Sequence, residues 1–125
     1  MARTAEAAFL DDTRAPSEAR RFVRTTLTSW GLVEQIDVAE LLTSEIVTNA
    51  ITHARSAVRL IVRTYGQRLK IEAWDDGRGD TVPMVVEHAV DAESGRGLVL
   101  VEKLSAQWGF QTSGPTKGVW FELVT

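Results

Sequence analysis

Three polar side chains with helical spacing form the first group of residues that can do chemistry. Glu45, Asn49 and His53 are four positions apart, so a helix places them in one row. A carboxylate there can act as a base, and an amide oxygen can ligate a metal ion. The alternative is an acid and an amide that bond to nearby backbone, and for neutral His53 packing or capping is favoured over ligation. The row borders, and at Asn49 enters, an apolar arc formed by Val38, Leu42, Ile46 and Ala50.

A second polar group, Asp75-Asp76-Gly77-Arg78-Gly79, follows a predicted strand. Strand alternation puts Asp75 on the face that helices are expected to cover. A carboxylate at that position can accept a hydrogen bond from the amino group of a base. Gly77 and Gly79 allow the backbone to approach a flat ligand closely. An ordinary Asp-Gly turn is the alternative.

The segment Gly95-Arg96-Gly97 precedes an apolar stretch and is predicted to open a helix over residues 98–104. Free N–H groups and the helix dipole favour a phosphate at such a start, and Arg96 adds positive charge. The segment lacks the third glycine of the dinucleotide-binding fingerprint and the Gly-Lys-Ser/Thr of a Walker loop. A flexible loop before a helix is the alternative.

The elements that must position these residues follow from periodicity and capping signals. A first helix is predicted to begin at Ala15-Pro16-Ser17-Glu18, with Gly31 as its left-handed cap. A second is predicted over about 38–54, with Asp37 as N-cap and Glu40 reaching back to it. The short turns predict an α/β sandwich, a mainly antiparallel sheet with helices on one face. Further elements are predicted as strands at 7–10, 58–63, 69–74, 106–111 and 119–124, and a short helix at 85–90.

Composition limits the classes of protein to which the chain can belong. Its 125 residues predict a single domain spanning 1–125. It has no cysteine, which excludes disulfide scaffolds and thiolate chemistry. The 14 basic and 17 acidic residues give a net charge of -3, which predicts no direct nucleic-acid partner and no membrane partner. No signal-peptide core follows Met1, so a cytoplasmic location is expected.

Taken together, these motifs resemble those of a known ATPase fold. The resemblance is to the N, G1 and G2 boxes of the Bergerat (GHKL) fold, shared by gyrase and the histidine kinases. Residues 44–54, 97–101 and 119–123 are similar to the bacterial anti-sigma-factor serine kinases and their single-domain ATP-binding relatives. The resemblance spans about 15–124 and implies a histidine kinase-like ATPase domain. The matching motifs are Glu45-x-x-x-Asn49, Asp75-x-Gly77-x-Gly79 and Gly95-x-Gly97.

The resemblance implies a role for each matching residue. Asn49 corresponds to the ligand of the Mg²⁺ that bridges the ATP phosphates, and Glu45 to the acid that activates the attacking hydroxyl or water. Asp75 corresponds to the residue that recognises the adenine amino group, and residues 80–94 to a short ATP lid. The family's usual threonine before the last strand is replaced by Gly118. The other nucleotide-binding residues implied are His53, Gly77, Gly79, Gly95, Arg96, Gly97 and Leu98.

The implied function is that of an ATP-dependent serine/threonine kinase of the anti-sigma type. Such a protein binds a sigma factor or related regulator and phosphorylates an anti-anti-sigma protein. One alternative is an ATP-dependent regulatory binding module without phosphotransfer, and another is a separate histidine-kinase catalytic domain. On the outward face of the sheet, Trp74 and Trp120 exceed what solvation needs, so a homodimer or a partner interface is also expected there. Packing of both tryptophans under a neighbouring segment is the alternative.

Overall fold

A single antiparallel sheet organises the part of the chain that is described. The structure is a computed structural model that describes residues 2–53, 55–76 and 92–125, with backbone alone at residues 53 and 92–97. The strands pair in the order β1-β2-β3-β5-β4, so β3, which leads to Asp75, is central. The strands are β1 (Arg3–Phe9), β2 (Val58–Tyr65), β3 (Arg68–Trp74), β4 (Gln107–Ser113) and β5 (Thr116–Val124).

Helices cover one face of this sheet, which confirms the predicted α/β sandwich. Within the described ranges they are α1 (Ala15–Ser29), α2 (Ile36–His53) and α3 (Ala92–Leu104). A 3-10 turn at Val33–Gln35 precedes α2. Gly31, between α1 and this turn, has a φ of +76°, the left-handed conformation predicted for it. The short helix predicted at 85–90 lies outside the described residues.

The core lies between the helices and the inner face of the sheet. Alternate strand residues point into it, as the period of two predicts. Among the described residues, none of the helices that border this core combines the length and the hydropathy that a membrane span requires. The sheet contributes Val58, Leu60, Val62, Leu69, Ile71, Ala73, Val119, Phe121 and Leu123. The helices contribute Ala15, Ala19, Val23, Leu27, Ile36, Ala39, Leu42, Ile46, Val47, Leu98 and Val101.

The start of α2 differs from the prediction. The helix begins at Ile36, so Asp37 lies in its first turn and is not the N-cap. The preceding 3-10 turn leads directly into the helix, and Ile36 is buried as it does so. Glu40 pairs with Arg24 of α1, with 2.6 Å between Oε2 and Nε, instead of reaching back along α2. Tertiary packing therefore replaces the predicted capping box.

The outer face of the sheet is packed by its own side chains. Trp74 is 8% exposed, and its indole N–H donates to a Glu72 carboxylate oxygen at 2.9 Å. Trp120 lies so close to Gly109 that a Cβ there would be 3.2 Å from its ring. The Lys70 ammonium lies 4.6 Å from the centroid of the same ring. Contacts within the sheet therefore account for both tryptophans, and a homodimer through this face stays a prediction.

Candidate functional site

The predicted polar row on α2 flanks the buried stripe of that helix. Glu45 and Asn49 are both half-buried. The fully buried stripe is rotated from the predicted arc, so Val38 and Ala50 are only half-buried. Helix α1 packs against α2 and fixes this rotation. On the flank of α2 away from Glu45, Arg20 of α1 donates a hydrogen bond to Ser44 Oγ at 2.9 Å. The stripe consists of Ala39, Leu42, Thr43, Ile46 and Val47.

The amide oxygen of Asn49 is the unusual atom of this row. It is buried, and it has no hydrogen-bond partner among the described residues. A buried acceptor left in this way costs about 1–3 kcal/mol unless something else meets it. His53 is the last residue of α2, and its side chain lies outside the described part. The Asn49 oxygen is thus available to a cation or a donor that the described residues do not supply.

Asp75 stands where strand alternation predicted, at the inner-face end of β3. Its N–H donates to the Lys117 carbonyl at 2.9 Å, which extends the β3–β5 pairing by one residue. The Lys117 N–H donates in turn to Asp75 Oδ1 at 3.0 Å. The next residue, Asp76, donates its N–H to the buried Ser56 Oγ at 3.3 Å. The backbone of β5 and the α2–β2 connection therefore hold this acidic pair in place.

The glycine motifs are only partly within the described structure. Gly77, Gly79 and most of the predicted lid lie outside the described residues. Gly95 to Gly97 lie inside α3, which begins at Ala92, so the prediction that they open the helix is wrong. Ala92, Glu93 and Ser94 have adequate helix propensity, and they extend the helix ahead of the glycines. The first turn of the helix, where helix geometry leaves N–H groups without an intrahelical partner, therefore begins at Ala92 and not at Gly95.

The two predicted nucleotide-binding residues of α3 that are not glycines are Arg96 and Leu98. The side chain of Arg96 is outside the described set. Leu98 is 5% exposed and belongs to the apolar core. Its buried side chain helps to fix α3 against the rest of the fold. Leu98 therefore anchors the middle of α3 in the apolar core.

Strand register explains why glycine fits at position 118. Gly118 pairs with Trp74 and Gln111, so it belongs to the outer face. A Cβ at 118 would lie 2.9 Å from the Trp74 ring. The inner-face position is Lys117, whose ammonium nitrogen is buried without a hydrogen-bond partner among the described residues. Lys117 is not among the predicted site residues, although the alternation of Val119, Phe121 and Leu123 extends back to it.

Comparison with known families gives the class of protein that this fold and site define. Residues 9–122 match the family described as the histidine kinase-like ATPase domain. Since the match covers most of the chain, the protein belongs to this family, and it is an ATP-binding domain of the kinase-like ATPase type. Comparison with curated proteins gave no match.

The residues on α2 fit the ion that accompanies ATP in such a domain. Mg²⁺ at a nucleotide takes most of its ligands from phosphates and water, with one or two from protein oxygens. The buried Asn49 oxygen, which lacks a partner in the described part of the chain, is a ligand of the right chemistry. Asn49 would therefore hold Mg²⁺, and the ion would neutralise charge on the phosphates of bound ATP.

Proposed function

We propose that the protein is an ATP-dependent serine/threonine kinase of the anti-sigma type. In this proposal it binds a sigma factor or related regulator and phosphorylates an anti-anti-sigma protein on serine. The observation that carries the proposal is the buried Asn49 oxygen, unpartnered among the described residues, one helical turn after the half-buried Glu45. A carboxylate next to a metal ligand favours a protein that transfers the phosphoryl group of ATP over one that only binds ATP.

Each residue has a distinct task in this mechanism. Asp75 accepts a hydrogen bond from the adenine amino group and orients ATP. Glu45 accepts the proton of the partner's serine hydroxyl as its oxygen attacks the γ-phosphorus. The bond between that phosphorus and the bridging oxygen breaks, and ADP leaves with the electron pair. Such transfers depend mainly on positioning, which the residues of α2 and the end of β3 would supply, and on charge neutralisation, which Mg²⁺ held by Asn49 would supply.

Incubation with radiolabelled ATP, Mg²⁺ and a candidate anti-anti-sigma protein tests the proposal. Acid-stable label on the partner is the expected result, because serine phosphate survives acid. Acid-labile label would instead indicate a histidine-kinase catalytic domain. Binding of the partner without label would indicate an ATP-dependent regulatory module. Either of these two results contradicts the proposal.

The Glu45→Ala variant tests the role of the acid. We expect ATP affinity to stay within about twofold, while transfer falls by about 10²–10⁴-fold, the usual loss of a general base. Glu34→Ala, which removes an exposed acid from the 3-10 turn, is the matched control and should transfer normally. Equal transfer per folded molecule in both variants would remove Glu45 from the reaction.

A further inference from the structure

Lys117 has an environment that the described part of the chain does not explain. It is the second residue of β5, and register places it on the inner face with Val119 and Phe121. The residue is half-buried, and its ammonium nitrogen is fully buried. Among the described residues that nitrogen has no hydrogen-bond partner. A lysine at a strand end normally keeps its ammonium group in water, so the burial of this nitrogen needs a physical explanation.

Physical chemistry narrows what can meet this nitrogen. An ammonium group carries three N–H donors and no acceptor. Burial without an acceptor is costly because the charge loses its hydration. Only an acceptor atom can offset that cost. An acceptor from outside the described residues would therefore bind here. Without that acceptor, a neutral side chain at this position would make the folded protein more stable.

The neighbour of Lys117 indicates which acceptor this is. The Lys117 main chain exchanges two hydrogen bonds with Asp75, one to its carboxylate and one from its N–H. Residues opposed in this way have Cβ atoms about 4.5–5.5 Å apart on one face. A ligand that meets the Asp75 carboxylate is thus presented to the Lys117 ammonium as well. The Mg²⁺-binding atom proposed for the phosphates is on another element, α2.

We propose that the Lys117 ammonium donates a hydrogen bond to ring nitrogen N1 of the adenine base. This inference rests on the proposed binding of ATP, with the amino group of adenine at Asp75. Adenine presents the amino donor and the N1 acceptor side by side. Asp75 and Lys117 together would then select a base with that pair of groups. Guanine and hypoxanthine carry a hydrogen on N1 and would be rejected.

Calorimetry with adenosine analogues tests this contact without any catalytic readout. We expect the wild-type protein to bind adenosine about 10- to 100-fold more tightly than 1-deazaadenosine, the range for a hydrogen bond to a charged group. Lys117→Met should bind both nucleosides equally and weakly. Lys70→Met, the same substitution on the outer face, should behave as wild type. Binding of 7-deazaadenosine should match that of adenosine.

The stability of the ligand-free protein supplies a second measurement. Lys117→Met should melt at or above the wild-type temperature, because it removes a buried charge that no described residue pairs. A melting temperature below that of the wild type would show that the chain itself pairs Lys117, and would overturn the inference.

Three results of the binding measurements would also overturn the inference about Lys117, and they show separately whether the proposed function stands. Equal discrimination against 1-deazaadenosine in wild type and Lys117→Met would exclude the N1 contact. A loss confined to ATP, with adenosine unaffected, would place the cation on a phosphate. If the wild type binds adenosine and ATP and only the Lys117 results disagree, the proposed function survives. If the wild type binds no adenine compound, both fail.

Discussion

The amide oxygen of Asn49 has no partner among the described residues, so its removal should cost the ligand-free protein little. Asn49→Ala deletes a ligand of Mg²⁺ in the proposed site. We therefore expect the affinity for ATP to become nearly independent of Mg²⁺, while the melting temperature changes by no more than a few degrees. Titration of ATP with and without Mg²⁺ measures this directly. Thr48→Ala, an exposed neighbour on α2, is the control, and unchanged Mg²⁺ dependence in Asn49→Ala would remove the residue from the metal site.

The carboxylate of Asp75 offers a complementary test. Asp75→Asn keeps an oxygen that can accept from the Lys117 N–H, so the end of β3 should hold. The charged acceptor for the adenine amino group is lost, and ATP binding should weaken by about 1.5–3 kcal/mol. Calorimetry measures this change. Asp11→Asn, at an exposed position, should bind as wild type, and an equal affinity in Asp75→Asn would place adenine elsewhere.

Simple periodicity predicts much at this scale. The four-residue spacing of Glu45 and Asn49 put both on one side of α2, and the strand period put Asp75 at the inner-face end of β3. The rotation of the buried stripe depends on how α1 packs, which sequence spacing does not contain. Lys117 was missed because the last strand was predicted to begin at Val119, so its alternation was not carried back to position 117.

Among the helices and strands, features with a local cause were predicted correctly, and features that depend on tertiary packing were not. Every predicted strand in the described ranges exists, and the hairpin turns at Gly66 and Gly114 have the positive φ that glycine permits. The starts of α2 and α3 were wrong, since both depend on what precedes them. The pairing of Glu40 with Arg24 could not be read from α2 alone. Helix boundaries are thus less predictable than helix existence.

The pairing of β3 with β5 yields a prediction at the scale of elements. Gly118→Thr restores the side chain that related proteins are expected to carry. A Cβ there would lie 2.9 Å from the Trp74 ring and 3.0 Å from the Ala73 carbonyl oxygen. We expect a loss of about 1–3 kcal/mol in the free energy of unfolding, the cost of overpacking, measured by urea denaturation.

A double-mutant cycle separates this contact from other effects of threonine. In a Trp74→Leu background the same substitution should cost clearly less, because the ring is gone. Equal costs in both backgrounds would show that the ring does not exclude a side chain at 118.

Across the whole molecule, one carboxylate on the outer face ties three strands together. Glu72 of β3 is 3% exposed, and it accepts hydrogen bonds from Arg63 of β2 at 2.8 Å and Gln111 of β4 at 3.0 Å. Gln111 pairs with Gly118 of β5 and Glu72 pairs with Trp120, so this bond runs diagonally across β5. With the Trp74 indole as third donor, the network spans most of the sheet. The network links the strands on the outer face of the sheet, whereas the apolar core lies on the inner face, under the helices.

This network makes the stability of the fold depend on pH. Burial alone raises the pKa of Glu72, but the hydrogen bonds from Trp74 and Arg63, with the Arg63 charge, outweigh it and hold that pKa below its ordinary value of 4.5. A lowered native pKa stabilises the fold above the unfolded value, and the contribution is lost as pH falls through the native one. Glu72→Gln should therefore lose about 1–3 kcal/mol at pH 7, and the gap to wild type should narrow below about pH 4.5. Urea denaturation across this range measures the gap, with exposed Glu6→Gln, paired to Arg59, as the control that changes little. A gap that stays constant with pH would mean that the charge of Glu72 does not stabilise the sheet.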